Sequence, residues 1–214
     1  IDTVTVGNPG NAGMLCGTGG GASPYRTCGA VDYHYGIGTH EVTAGQYVEF
    51  LNAVASTDTY GLYSEMMAGP PMGCNIERTG SVGDYSYSVW EQWKDRPVNF
   101  VSWGDAARFA NWLHNGQPTG AQDASTTEDG AYYLNGAADD ASLLAVVREP
   151  DARWFLPNED EWHKAAYHKN DGPSGNYFDY PTSSDVLPDY VADGETLPNP
   201  DPGNYGTYNG DGGD

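Results

Sequence analysis

Three stretches of this chain carry a helical period, and each opens on a polar side chain placed to cap it. Thr43-Ala-Gly-Gln46 has the capping-box spacing, a hydroxyl for the amide three residues on and a Gln to reach back. Tyr47, Phe50, Leu51 and Val54 then recur at i, i+3, i+4 and i+7, which predicts a helix ending near Ala55. Ser102 stands in the same relation to Asp105, with Trp103, Ala106, Phe109, Ala110, Trp112 and Leu113 as the apolar stripe behind it. His114-Asn-Gly-Gln-Pro118 stops that helix, putting Asn and Gly where a left-handed cap is wanted and Pro just beyond. Asn158 and Glu161 open the third unit, whose Trp162, Ala165 and Ala166 are expected to face inward.

Between these units, 29 Gly and 14 Pro interrupt the chain, so the strands must be short. Alternating residues predict strands at Ile1 to Val6 and at Tyr85 to Val89, and over Val31 to Ile37 with Val31, Tyr33, Tyr35 and Ile37 on one face. Pro97 to Ser102 reads as extended and Ala131 to Leu134 as a further strand, while 56–96 is loop-rich around Gly69-Pro-Pro-Met-Gly73. No period of repeat length recurs, which excludes solenoids and propellers. The class is α+β, loop-rich, with two to three helices and short antiparallel strands. The 214 residues are expected to form a single domain with an acidic, loop-rich segment at 170–214.

Charge narrows the partners. Nine Lys and Arg stand against 30 Asp and Glu, a net charge of -21, so nucleic acid and anionic lipid are poor partners and divalent cations better ones. The 16 Tyr, 6 Trp and 5 Phe are too many for a chain that never packs. No apolar run is long enough for a membrane helix, and no signal segment opens the sequence. A start at Ile1 without Met fits a mature product whose leader has been removed. Cys16 and Cys28 bracket a Gly-rich stretch with little apolar surface to hold it closed, and a disulfide between them is expected; Cys74 reads as a buried or free thiol.

From Asn170 onward the chain has nine acids and no Lys or Arg. Within it, residues 199–214 alternate Asn or Asp with Gly, which lets carboxylate, amide and backbone oxygens converge on a hard cation such as calcium. Other candidates have plainer readings. Glu149-Pro-Asp151 superficially suggests a sugar-binding triplet but reads as a loop, and His34 and His40 as surface or packing residues. Asp139, Asp140, Glu159 and Asp160 read as helix-start or loop charges, and Glu161 as a cap. Tyr60, Tyr63, Tyr85 and Tyr87, in the loop-rich middle, are candidates for a partner surface.

Four ordered strings together resemble one family: Ile37-Gly-Thr-His-Glu-Val-Thr43 with Gln46 to Ala55, Pro97-Val-Asn-Phe-Val-Ser-Trp103, Ala106 to Gly120, and Leu156-Pro-Asn-Glu-Asp-Glu-Trp-His-Lys-Ala-Ala-Tyr167. The chain is similar over nearly its whole length to the formylglycine-generating enzyme, or sulfatase-modifying factor, family. The resemblance implies a C-type-lectin-like fold, and places the family's usual C-terminal third beyond Asp214. The oxidising enzymes of that family carry their two copper-binding cysteines in that later part. None of Cys16, Cys28 and Cys74 lies in a matching motif, so no catalytic residue is carried over. The His-x3-His-x-Glu helix of the related iron-dependent sulfoxide synthases is also missing, and His163 and His168 are awkwardly spaced for a shared metal. Relatives hold structural calcium through an Asn, the next residue's carbonyl and a later Asp, which implies Asn204, Tyr205, and Asp211 or Asp214.

The sequence is therefore expected to encode a secreted or surface-exposed, bacterial-type, non-catalytic scaffold or binding domain, calcium-stabilised and self-assembling. Its partner is expected to be a second copy or another surface protein. Two alternatives stay open. One is a copper-dependent formylglycine-generating oxidoreductase whose active site lies in sequence not shown; the other is a carbohydrate or receptor binder using lectin-like loops.

Overall fold

The computed structural model describes residues 1–17, 25–69 and 72–187, and the backbone alone of 189–190 and 205–206. In chain order the elements are β1 (Thr3–Val6), β2 (Met14–Cys16), β3 (Arg26–Cys28), β4 (Tyr35–Gly38), α1 (Ala44–Val54), β5 (Ile76–Thr79), β6 (Ser86–Val89), α2 (Trp103–His114), α3 (Asp140–Leu144), α4 (Glu159–Tyr167), β7 (Asp189–Tyr190) and β8 (Tyr205–Gly206). Among the described residues the strands pair only in twos: β1 with β4, β2 with β3 antiparallel, β5 with β6 antiparallel, and β7 with β8 parallel. Mixed helix and short strand make the class α+β. The chain divides into two compact units, one of Ile1–Asp2 with Gly38–Leu156 and the other of Thr3–Ile37 with Pro157–Asp214.

In the first unit the caps act as their spacing predicts. Thr43 and Gln46 close a capping box on α1, as do Ser102 and Asp105 on α2. Tyr47, Phe50, Leu51 and Val54 of α1 are buried, and the Phe50 ring meets Phe109 and Trp112 of α2, each at 5.3 Å between centroids. Asn52 then fastens α1 to β6, donating to the Tyr87 carbonyl at 2.8 Å and accepting from its amide at 2.9 Å. At the far end of α2 the Gly116 amide reaches the Leu113 carbonyl and the Gln117 amide that of Trp112. Gly116 and Gln117 hold the left-handed backbone this ending requires, with φ of +84° and +62°.

Several expectations fail here for identifiable reasons. Ala131 to Leu134 is not a strand but a single bridge between Tyr132 and Arg148. Asn111 of α2 takes the Tyr132 amide and carbonyl, both at 2.8 Å, so neither group is left for a ladder. Tyr63 and Tyr87 are core residues rather than partner surface, their hydroxyls donating to the carbonyls of Ile76 and Ala55. Tyr60 and Tyr85 are half-buried and lie under guanidinium groups, of Arg108 at 4.1 Å and Arg78 at 4.4 Å. The short helix α3 was not anticipated; Asp139 caps it through the Ser142 amide.

In the second unit Cys16 and Cys28 are joined by a disulfide, with Cα atoms 5.9 Å apart, across the β2–β3 hairpin. The strand expected from Val31 begins only at Tyr35. Val31 buries its side chain, but its amide goes to the Asn11 carboxamide and its carbonyl accepts from the Gly10 amide. With the backbone turned aside there, Tyr33 leaves the predicted inward face and is 41% exposed.

Candidate functional site

In the second unit, α4 gathers the densest set of polar side chains. Asn158 and Glu161 close its capping box, and Glu161 is fully buried. Its carboxylate accepts from the Asn158 amide at 2.7 Å and from the Tyr33 hydroxyl, and its own carbonyl accepts from the Tyr35 hydroxyl. One turn on, Lys164 is buried as well, its ammonium donating to the carbonyls of Asn8 at 2.9 Å and Val31 at 3.2 Å. Burial lowers the Lys164 pKa. These two charged residues, not Trp162, form the inward face. Trp162 is 51% exposed, contrary to the apolar-stripe expectation, because two hydrogen-bonded charged residues occupy the buried positions.

The β3 end and the following turn lie along the first half of α4. Arg26 pairs with Glu159, which holds the Glu159 carboxyl below its ordinary value. The Gly29 amide donates to Asp160 at 2.8 Å. Asn11 is buried and donates to the Gly29 carbonyl and the Tyr177 hydroxyl, each at 2.7 Å, while Tyr177 donates back to the carbonyls of Ala12 and Gly29. His163 stacks on Tyr167 at 4.8 Å and tilts against Tyr177 at 5.4 Å. His168 meets Tyr177 edge-on at 5.2 Å, so the same tyrosine ring lies against both histidines. Beside this cluster lies a cavity of about 350 Å³ lined by Gly10, Asn11, Ala30, Val31 and Asp32. Asn11 already has its partners, which leaves the Asp32 carboxylate as the charged group there.

The polar centre of the first unit is of the same kind. Arg108 and Glu128 form a buried bidentate pair at 2.7 and 3.0 Å. Glu128 also accepts from the Thr127 hydroxyl and the Gly136 amide, and Arg108 donates to the Ala137 carbonyl. Asn111 adds the Thr127 carbonyl to its hold on Tyr132. Every one of these groups holds the 121–137 loop onto α2.

The expected calcium ligands Asn204, Asp211 and Asp214 lie outside the described residues, and of Tyr205 only the backbone is described, paired with Asp189. Copper, which the family resemblance raises, needs two converging soft thiolates. Cys16 and Cys28 are bonded to each other and Cys74 is a buried single thiol, so the cysteines present do not fit that metal. Glu149 to Asp151 is a turn, with the Ala152 amide bonded to the Glu149 carbonyl, and Asp139 is a cap. His34 and His40 are exposed. Lys164, Asn11, Arg108 and Glu128 were missed in the sequence. The three-residue step from Glu161 to Lys164 on one helix face was the single local signal.

A family model described as the sulfatase-modifying factor enzyme 1-like domain matches residues 9–196. No curated protein and no solved structure matches the chain. The match spans most of the sequence, including the three helices closed by capping boxes and the polar clusters built on α2 and α4, and the chain belongs to the sulfatase-modifying factor family.

Proposed function

We propose that this chain is a non-catalytic binding or scaffold domain that works outside the cytoplasm. The observation that carries the reading is where the reactive groups are engaged. Two of the three cysteines are tied in a disulfide and the third is buried alone, while Glu161, Lys164, Arg108 and Glu128 hold backbone or each other. Side chains fixed in this way stiffen a scaffold. A C-type-lectin-like arrangement is the reading we adopt for the fold, supported by family membership and by strands that pair only in twos among the described residues.

The disulfide supports an extracytoplasmic setting, since such bonds form and persist in oxidising compartments. For the partner we propose a protein surface, with a second copy of the chain as the first to test, because Leu144 and Val147 stand 85% and 71% exposed at the end of α3. The purified chain is expected to leave a Cys-x-Pro-x-Arg peptide unchanged in the presence of copper and oxygen, as followed by peptide mass. Conversion of that cysteine to formylglycine would overturn the reading.

Calcium belongs to the same proposal, through Asn204, Tyr205, Asp211 and Asp214. Nine acids from Asn170 onward repel one another, and an ion with an oxygen-rich shell offsets that repulsion. An ion present at 100 times its dissociation constant, binding the folded state alone, stabilises by about 2.7 kcal/mol. Melting is therefore expected to shift upward with calcium in the wild type and not in the Asp211→Ala/Asp214→Ala variant. Identical midpoints with calcium and with chelator would leave a solvated acidic segment in its place.

A further inference from the structure

We propose that His163 makes the junction between α4 and the turn after β3 an acid-releasable latch. His163 Nδ1 is buried and has no hydrogen-bond partner. A side chain begun at Gly29 would start 3.1 Å from it, so the nitrogen faces the bare Cα of that glycine. A carbon offers no acceptor, and the neutral ring that fits carries its proton on Nε2 and turns the Nδ1 lone pair inward. Gly29 is obligatory here on two counts: its φ is +85°, and a Cβ would also lie 2.7 Å from the Tyr177 hydroxyl.

Protonation places an N–H, with its charge, where no acceptor lies. The groups facing the ring are these. From α4 come the Glu159 and Asp160 carboxylates, which favour the cation, and the Tyr167 ring. From β3 and its turn come Arg26, paired with Glu159, and Gly29, whose amide occupies Asp160. From the chain after α4 come Tyr177 and, on another edge of that ring, His168. Burial outweighs the two carboxylates and lowers the imidazole pKa below its ordinary 6.5. The folded state thus favours the neutral ring. Its contribution is complete above the unfolded value and is lost as pH falls through the depressed one.

What lets go is defined by the bonds that cross this junction. Gly29 to Asp160, Asn11 to Gly29 and Asn11 to Tyr177 all meet within the ring's immediate surroundings. Loosening them releases the turn after β3 from α4 while Arg26 stays on Glu159 and the hairpin of β2 and β3 keeps its covalent closure. A domain in an acidifying environment would so expose a surface that it keeps covered at neutral pH.

The test uses the whole chain. Ring resonances of His163, followed by NMR from about pH 8 to about pH 5, are expected to titrate below the ordinary histidine value. Exchange protection of the Gly29 amide, corrected for the intrinsic rate, is expected to fall about tenfold across that range. In His163→Phe, which keeps an aromatic ring between Tyr167 and Tyr177, that fall is expected to vanish while the other histidines still titrate. A His163 that titrates at or above its ordinary value, or an equal fall in His163→Phe, overturns the proposal. Should the variant not fold, the wild-type titration alone decides.

Discussion

Replacing Glu128 with Ala is expected to destabilise the first unit by about 3–5 kcal/mol, the usual cost of breaking a buried ion pair from one side. Arg108 and Glu128 are both buried, so the guanidinium left behind has no water to turn to. The Gly136 amide and the Thr127 hydroxyl lose their acceptor in the same step. For a chain of this size each kcal/mol lowers the midpoint by about 2–4 °C, so the fall should be roughly 6–20 °C. The paired change Arg108→Met/Glu128→Leu should lose much less, because it removes both charges instead of stranding one. Thermal melts of the two variants beside the wild type decide the matter. A loss below about 1 kcal/mol in Glu128→Ala would mean that water reaches the pair.

Gly73→Ala is the second large effect, expected to cost about 3 kcal/mol or more through overpacking against backbone. A Cβ at residue 73 would stand 2.6 Å from the Met67 carbonyl oxygen and 2.7 Å from those of Met66 and Gly69. Carbonyl oxygens of a tight turn cannot swing away as a side-chain tip can, and the Gly73 amide is itself bonded to Gly69 at 3.1 Å. The strain passes directly to Cys74 and Ile76, both buried in the main core of this unit. As a comparison, Gly83→Ala meets nothing within 4 Å and should show only the smaller penalty of its positive φ. Equal midpoints for Gly73→Ala and wild type in chemical denaturation would refute the close-approach argument.

How much of this was legible in advance depends on how far apart the interacting residues stand. The N-terminal caps of α1, α2 and α4 were readable because each is a contact between residues three apart, settled by backbone geometry that any neighbourhood preserves. The disulfide was readable for a similar reason, since the Gly-rich sequence between two cysteines twelve residues apart has little apolar surface to hold it closed. Strands were readable less well. The alternation at Val31 to Ile37 and the apolar, aromatic run at Ala131 to Leu134 are present, yet Asn11 and Asn111 capture the amides a ladder would have used. A period in the sequence says which faces side chains take, not which partner the backbone will find.

The four motifs by themselves determined the family and the positions of three helices, since both follow from short runs of adjacent residues. Only the tertiary structure decided what α4 buries. Its inward face is set by Lys164 reaching the carbonyl of Asn8, 156 residues away in sequence, and that of Val31, 133 away. A helix reading by hydrophobic period assigns such a lysine to solvent and Trp162 to the core, because it has no means of knowing that oxygen acceptors will arrive from elsewhere in the chain. The same holds for His163, whose Nδ1 is isolated by a glycine Cα brought to it by the fold. Local geometry follows from neighbours in the chain; the solvation of a buried charge follows from neighbours in space.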